Sequence, residues 1–334
     1  MKRVTIKDLA SKLNISVSTV SRALSGDSNI KSETRQLVVD LAKQLGYKRN
    51  DVAANLKSGR SQTIGVLVPE MITPFSSMII KGIQQVLKKE HIKLIIAESG
   101  ESWEEERENI AMMEKFMVDG LMVNICNYHK NREEYTRLQQ QGMPLVFFDR
   151  LPHKMGVSKV VIDDYIKSFF LVEHLIQQGN KRIVYLQGPD HVYNSIERAR
   201  GYHDALSKHK IPASPEPLVQ HSLSFDDGHA AVKELLARGV EFDAILAFTD
   251  TLAIGALNEL QAQGIAVPDQ VSVAGFSGTV LSTIVSPALT TVEAPLEEMG
   301  INAAKLILER IENPKAPIRS IVLDATTIYR QSTR

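Results

Sequence analysis

Apolar residues recur along this 334-residue chain in two rhythms. Near the start they fall at helical spacing in three short runs. Ile6, Leu9, Ala10 and Leu13 share one face of a helix that Thr5 is placed to cap. Ser16 can cap a second helix running through Thr19, Val20 and Ala23 to Leu24. Ser32 to Arg35 opens a third, whose apolar face is Leu37, Val38, Leu41, Ala42 and Leu45, with Gly26 and Gly46 placed to end the second and third. Val17, Ser18, Ser21 and Arg22 lie off the apolar positions and are free to face outward. Three short helices with a tight turn between the first two predict a helix-turn-helix headpiece, a geometry in which the second helix enters the DNA major groove.

From Ser61 the rhythm changes to short continuous apolar runs alternating with amphipathic helices. Strands are expected at 63–69, 93–98, 120–126, 144–149, 159–162, 182–187, 244–249, 271–276 and 290–293. Helices are expected at 76–89, 103–118, 165–178, 196–208, 227–237, 252–263 and 295–311. Uninterrupted apolar strands between helices indicate parallel sheets covered on both faces. The strands are too many for one sheet and the series restarts near Asp163, which predicts two doubly wound α/β subdomains with a ligand cleft at the strands' carboxyl ends. Between headpiece and body, residues 51–58 carry Val52, Ala53 and Leu56 before Gly59, a run too short to hold a helix unaided.

Composition changes this picture in two places. The formal net charge is zero, yet residues 1–60 carry a net +7 and the remainder a net −7, so a basic head sits on an acidic body. That asymmetry suits phosphate contact confined to one end. Cys126 is the single cysteine, which excludes an intramolecular disulfide and suits a reducing compartment; its apolar setting reads as a buried strand end. Lys7, Asp8 and Lys12 interrupt any signal-peptide core, and no apolar run is long enough to cross a bilayer, so a cytoplasmic location without membrane contact is expected. Phosphate-binding, dinucleotide and metalloprotease motifs are missing. Gly275-Phe276-Ser277-Gly278 approaches a hydrolase elbow, but Thr279 stands where its last glycine belongs. No catalytic residue, metal or cofactor is expected.

Val4-Thr5-Ile6 with Asp8 and Ala10, then Ile15-Ser16, Thr19-Val20-Ser21-Arg22, Leu24 and Gly26, then Thr34-Arg35 and Leu45-Gly46-Tyr47, resemble the lactose/galactose-repressor (LacI) family of transcription regulators. The resemblance runs on through Gly179-Asn180-Lys181-Arg182-Ile183, Arg198 with Gly201-Tyr202, residues 267–273, and Pro287 with Leu289-Thr290-Thr291-Val292. It implies a headpiece at 1–48, a hinge at 49–60, and an effector-binding and dimerisation domain at 61–334. The N-subdomain would be about 61–162 plus 293–323, and the C-subdomain about 163–292 plus 324–334. It also implies a body like that of periplasmic sugar-binding proteins, and a homodimer on a palindromic operator. Arg22 would read a guanine with Val17 and Ser18 tuning neighbouring bases. Thr5, Ser16, Thr19, Ser21, Asn29 and Thr34, with Lys2, Arg3 and Arg35, would position the duplex through phosphates. Asn50, Ala53, Asn55 and Leu56 fall at hinge positions, with Leu56 as a minor-groove wedge; the alternative is a flexible tether with Leu56 packed on the body.

For a small effector, most simply a carbohydrate, the resemblance implies Phe75, Asp149, Arg150, Asp164, Arg198, Thr249, Asp250 and the strand end Phe276-Ser277. Acceptor carboxylates, an arginine fork and an aromatic face suit a hydroxyl-rich ligand. Asp250 is equally placed to cap a helix, Phe75 to join the core, and Arg198 to form a surface ion pair. Many sugar-responsive members carry an acidic residue where Ser277-Gly278 stands here, which leaves the effector's size and charge open. Met78-Ile79-Ile80 and residues 281–285 are candidate dimer contacts, with Met78 also suited to the core. No terminal heptad zipper favours tetramers. A ligand-independent architectural DNA-binding protein and a carbohydrate-active enzyme are the alternatives.

Overall fold

Thr5 and Asp8 begin the first element by satisfying each other's backbone. The Asp8 N–H donates to the Thr5 hydroxyl at 3.4 Å, and the Thr5 N–H donates to the Asp8 carboxylate at 2.7 Å, opening α1 (Ile6–Leu13) with a capping box. Ser16 accepts from the Thr19 N–H at 3.0 Å and opens α2 (Val17–Leu24). Helix α3 (Ser32–Gln44) starts at Lys31 without a side-chain cap. Leu9, Ala10, Val20, Ala23, Val38 and Ala42 are buried together, and the alanines let three short helices approach closely. Arg35, an expected phosphate contact, also holds a loop. Its Nη2 donates to the Asp27 carbonyl at 2.7 Å and clasps the loop between α2 and α3.

The computed structural model describes residues 4–47, 60–213, 218–219 and 223–334. It divides into a unit ending at Ser61 and a second starting at Gln62. In the second unit the elements run β1 (Thr63–Val68), α4 (Pro74–Lys89), β2 (Lys93–Glu98), α5 (Trp103–Lys115), β3 (Gly120–Val123), α6 (Arg132–Gln140), β4 (Leu145–Phe148) and β5 (Ser158–Ile162). They continue with α7 (Asp164–Gln177), β6 (Ile183–Gln187), α8 (Tyr193–Lys208), β7 (Leu218–Val219), α9 (Phe225–Ala237), β8 (Ala244–Ala247) and α10 (Asp250–Ala262). The chain finishes with β9 (Ser272–Ser277), α11 (Leu281–Ile284), β10 (Thr290–Glu293), α12 (Leu296–Glu312), β11 (Ser320–Leu323) and β12 (Thr326–Ile328).

Two sheets result, ordered β11-β5-β4-β3-β1-β2 and β12-β10-β9-β8-β6-β7. All pairings are parallel except β10 with β12. Each sheet reverses its winding beside its first strand, between β1 and β3 and between β6 and β8. A crevice for a ligand opens beyond the strand ends at such a point. The chain passes between the sheets after β5, after β10 and after β11. Central strands such as β1 and β3 are buried along their whole length, as continuous apolar runs require. Among the described residues no helix is long and apolar enough to cross a membrane.

Helices α4 and α12 meet at Gly82 and Gly300, where an added Cβ would strike the backbone carbonyl of Glu297 or of Ile79. Neither obstacle is a side chain that can swing aside. Gly300→Ala should therefore destabilise the body by about 1–3 kcal/mol, read as a lower urea midpoint. An unchanged midpoint would mean that the two helices part freely. Ile79 and Ile80, expected as dimer contacts, are buried in this layer, whereas Met78 stays 38% exposed.

Candidate functional site

Helix α2 presents Val17, Ser18 and Arg22 to solvent, with Ser21 half-buried, while Val20 and Ala23 face inward. The Arg22 guanidinium forms no hydrogen bond or ion pair among the described residues, which leaves its planar donor fork available. The Ser16 hydroxyl is shared with those of Ser18 and Thr19, each at 2.8 Å, so these three groups hold one another at the helix start. Two expected phosphate contacts also carry local duties. The Thr5 hydroxyl donates to Asp8 at 2.7 Å, and Asn29 turns its N–H and Nδ2 onto Asp27 at 2.9 and 3.0 Å. The Asn29 N–H is the chief reason that the Asp27 carboxyl lies below the usual carboxylate range. Thr34 is half-buried in the first turn of α3. Asn50, Ala53, Asn55 and Leu56, like Lys2 and Arg3, lie outside the described residues.

In the second unit, polar groups converge at the carboxyl ends of the strands. Asp149 follows β4 with a left-handed φ of 59° and is buried. Its two oxygens accept from Asn194 Nδ2 at 2.9 Å and Asn124 Nδ2 at 3.3 Å. Asn124 follows β3 in the first sheet and Asn194 lies in α8, which packs beside the second, so this carboxylate ties the subdomains together. A backbone bond from the Tyr128 N–H to the His191 carbonyl, at 3.0 Å, spans the same junction.

One turn further along α8, Arg198 donates Nε to Asp164 at 2.7 Å and Nη1 to the Phe248 carbonyl. Its guanidinium lies 3.7 Å from the Phe276 ring centre and 4.5 Å from that of Phe248. This is a buried ion pair between aromatic faces, not the surface pair that sequence left open. Nη2 carries no hydrogen bond among the described residues. Burial pushes the Asp164 carboxyl up to about 6 against the pull of Arg198, and raises Asp149 against Arg150 and Arg198.

The sign of the Asp164 effect follows by linkage. Between about pH 4 and 6 the folded chain holds a proton that the unfolded chain has released. This group's stabilising contribution is complete below about pH 4 and is lost as pH rises through 6. The melting temperature of Asp164→Asn relative to the parent should climb across that window; a difference that stays flat would contradict the assignment.

The remaining candidates divide. Phe75 is half-buried at the start of α4 and packs against the core. Arg150 is committed to Glu101 through two bonds of 2.8 and 2.9 Å. Thr249 caps α10 by accepting from the Leu252 N–H at 3.3 Å, the duty that sequence left open for Asp250. Asp250 is buried instead, accepting from the Thr291 hydroxyl and from the Thr279 N–H at 2.9 Å, so it joins α10 to β10 and the loop after β9. Ser277 ends β9 with a φ of 142°, a conformation that side chains rarely adopt. A Cβ at the next residue, Gly278, would collide with the Glu293 backbone.

Sequence reading missed Asn124 and Asn194. Asn124 interrupts the apolar run 120–126, and Asn194 precedes Arg198 by four residues on one helical face; those were the available signals. Cys126 is buried beyond β3, its N–H bound to Glu106 at 2.9 Å, and burial pushes its thiol far up.

A helix-turn-helix reader followed by a two-sheet body with a polar junction defines a ligand-responsive DNA-binding regulator. The family description "Bacterial regulatory proteins, lacI family" matches residues 5–50, and "Periplasmic binding protein-like domain" matches residues 172–333. The repressor CytR of Escherichia coli (strain K12) is 30% identical over 332 residues, covering 99% of this chain and 96% of that one. The chain belongs to the LacI family, whose members regulate transcription and are not enzymes. A transcriptional regulator CelR–cellobiose complex is 28% identical with a TM-score of 0.74, covering 99% of this chain and 100% of that one. The Lac repressor dimer bound to operator and an anti-inducer shares the fold, with a TM-score of 0.85 at 23% identity over 99% of both chains.

Proposed function

We propose that this protein is a homodimeric repressor that binds a palindromic operator and is controlled by a sugar or sugar-derived effector held between the two subdomains. The observation that carries the reading is the buried set of Asp149, Asn194, Arg198 and Asp164, where both subdomains contribute hydrogen-bonding groups beside aromatic faces. Cellobiose in the CelR complex supports the ligand class. The effector moves DNA occupancy to the extent that it binds one subdomain arrangement better than the other.

Arg22 reads bases in this proposal, with Val17 and Ser18 beside it, while Ser21, Thr19 and Thr34 approach phosphates. Residues 49–60 act as the hinge, with Leu56 as the wedge and Asn50, Ala53 and Asn55 around it. Phe75, Thr249, Phe276 and Ser277 border the effector. Met78, Val280 (59% exposed) and Ile284 (70% exposed) provide apolar surface for the two-fold contact. Acting on chromosomal operators, the protein would work in the cytoplasm at the nucleoid.

Selection from a random duplex pool tests the DNA half of this reading. Full-length protein should enrich an inverted repeat, and scrambling one half-site should abolish tight binding. Equal affinity for selected and scrambled duplexes would overturn it.

A further inference from the structure

Glu106, in the first turn of α5, is 1% exposed and forms no ion pair among the described residues. Taking a carboxylate out of water is costly unless it is well bonded. Burial pushes this one up, against the pull of Asn131 and of the Cys126 N–H. An apolar side chain would carry no such cost, so the role of the position is read from the partners of its oxygens.

Those partners lie on one loop. Residues 124–131 run from the end of β3 to the start of α6. One oxygen of Glu106 accepts from the Cys126 N–H at 2.9 Å, near the loop's start, and the other from Asn131 Nδ2 at 3.0 Å, at its last residue. Asn131 also donates to the Trp103 carbonyl at 2.7 Å. Both of those oxygens need a donor, which fixes the Asn131 amide with its NH₂ toward α5. Its φ of 45° is one that asparagine tolerates. Lys130 sets its ammonium 5.3 Å from the Trp103 ring centre. The loop is thereby pinned to α5 near both ends.

Between the pins the loop meets the second subdomain. The Tyr128 N–H donates to the His191 carbonyl at 3.0 Å, and the Tyr128 ring stands edge-on to Tyr193 of α8. The Tyr128 carbonyl takes the His153 N–H at 3.0 Å. Asn124, the loop's first residue, donates to Asp149, which in turn accepts from Asn194. Asn127 Oδ1 accepts from the N–H groups of His129 and Lys130 at 3.0 Å each, so the middle of the loop moves with its ends.

We propose that Glu106 is a positioning residue for the subdomain junction: by pinning residues 124–131 to α5 it holds Tyr128 against His191 and Asn124 against Asp149. Its own bonds stay within the first subdomain. The inference extends the effector reading, because the junction it preorganises is the one that an effector would occupy. Amide exchange in the ligand-free protein tests it, so the two can fail separately.

Hydrogen exchange on the full-length protein reads the Tyr128 amide directly. Glu106→Met keeps the length of the side chain and removes both acceptors. Protection at Tyr128 should fall at least about tenfold, the least that losing hydrogen bonds to a charged group brings, while amides of β1 and β6 keep the parent's values. Glu106→Gln still offers one acceptor and should recover part of that protection. Unchanged protection at Tyr128 would overturn the proposal. So would an equal fall in β1 and β6, which would make Glu106 a general support of the core.

Trp103 is the single tryptophan, so its emission reports on the same attachment. Release of the loop takes Lys130 away from the ring and should shift the emission of Glu106→Met to longer wavelength; an emission that stays in place would mean that the loop never left α5, and would also overturn the assignment. If Glu106→Met does not fold, Asn131→Gly serves instead. Glycine accepts the left-handed φ, so only the pin at the loop's end is lost. Tyr128 protection should again fall, and parental protection in that variant would contradict the proposal.

Discussion

Arg22→Ala is expected to abolish operator recognition while leaving the headpiece folded. The guanidinium is exposed and forms no bond among the described residues, so its loss removes no interaction that holds the three helices together. A bidentate arginine–guanine contact contributes about 1–3 kcal/mol of discrimination. With two heads on a palindrome the loss doubles to about 2–6 kcal/mol, a fall in operator affinity between about 30-fold and about 10⁴-fold. Binding to random duplex should drop only a few fold, since it draws on all the basic residues of the headpiece. Titrating both duplexes at one salt concentration separates these effects. Equal losses would make Arg22 a phosphate contact.

Arg198→Ala is expected to fail in two distinguishable ways. It leaves Asp164 buried without its cation, which costs about 3–5 kcal/mol of stability. It also removes the guanidinium between Phe276 and Phe248, and with it effector binding. Combining it with Asp164→Asn neutralises the orphaned carboxylate and should recover much of the melting temperature without restoring effector affinity. If the double variant still bound effector as the parent does, Arg198 would be a structural residue only.

How much of this was legible beforehand depends on what each residue does. The headpiece reads well because a capping box and a helical apolar face are local signals: Thr5, Ser16 and the positions from Leu9 to Ala42 carry their geometry in their spacing. The long apolar strands show for the same reason. Helix α6 escaped because only Tyr135 and Leu138 of its nine residues are buried, too few to mark a face. Strands β11 and β12 escaped because they are short edge strands with exposed residues, and β7 because it is two residues long. At the site, Arg198 could be placed on its helix but not in depth, since burial depends on Asp164 and Phe276, which lie far away in sequence. The bonds that hold Asp250 were hidden for a related reason: their donors, Thr279 and Thr291, come from other elements.

Occupancy of the subdomain junction is expected to change the grip on DNA. Operator affinity should therefore be measured across titrations of candidate sugar effectors, with Arg198→Ala combined with Asp164→Asn as control. The parent's dissociation constant should shift by at least about tenfold, a coupling of about 1.4 kcal/mol, while the control's should not move. An operator affinity that stays constant in the parent at saturating sugar would contradict the account.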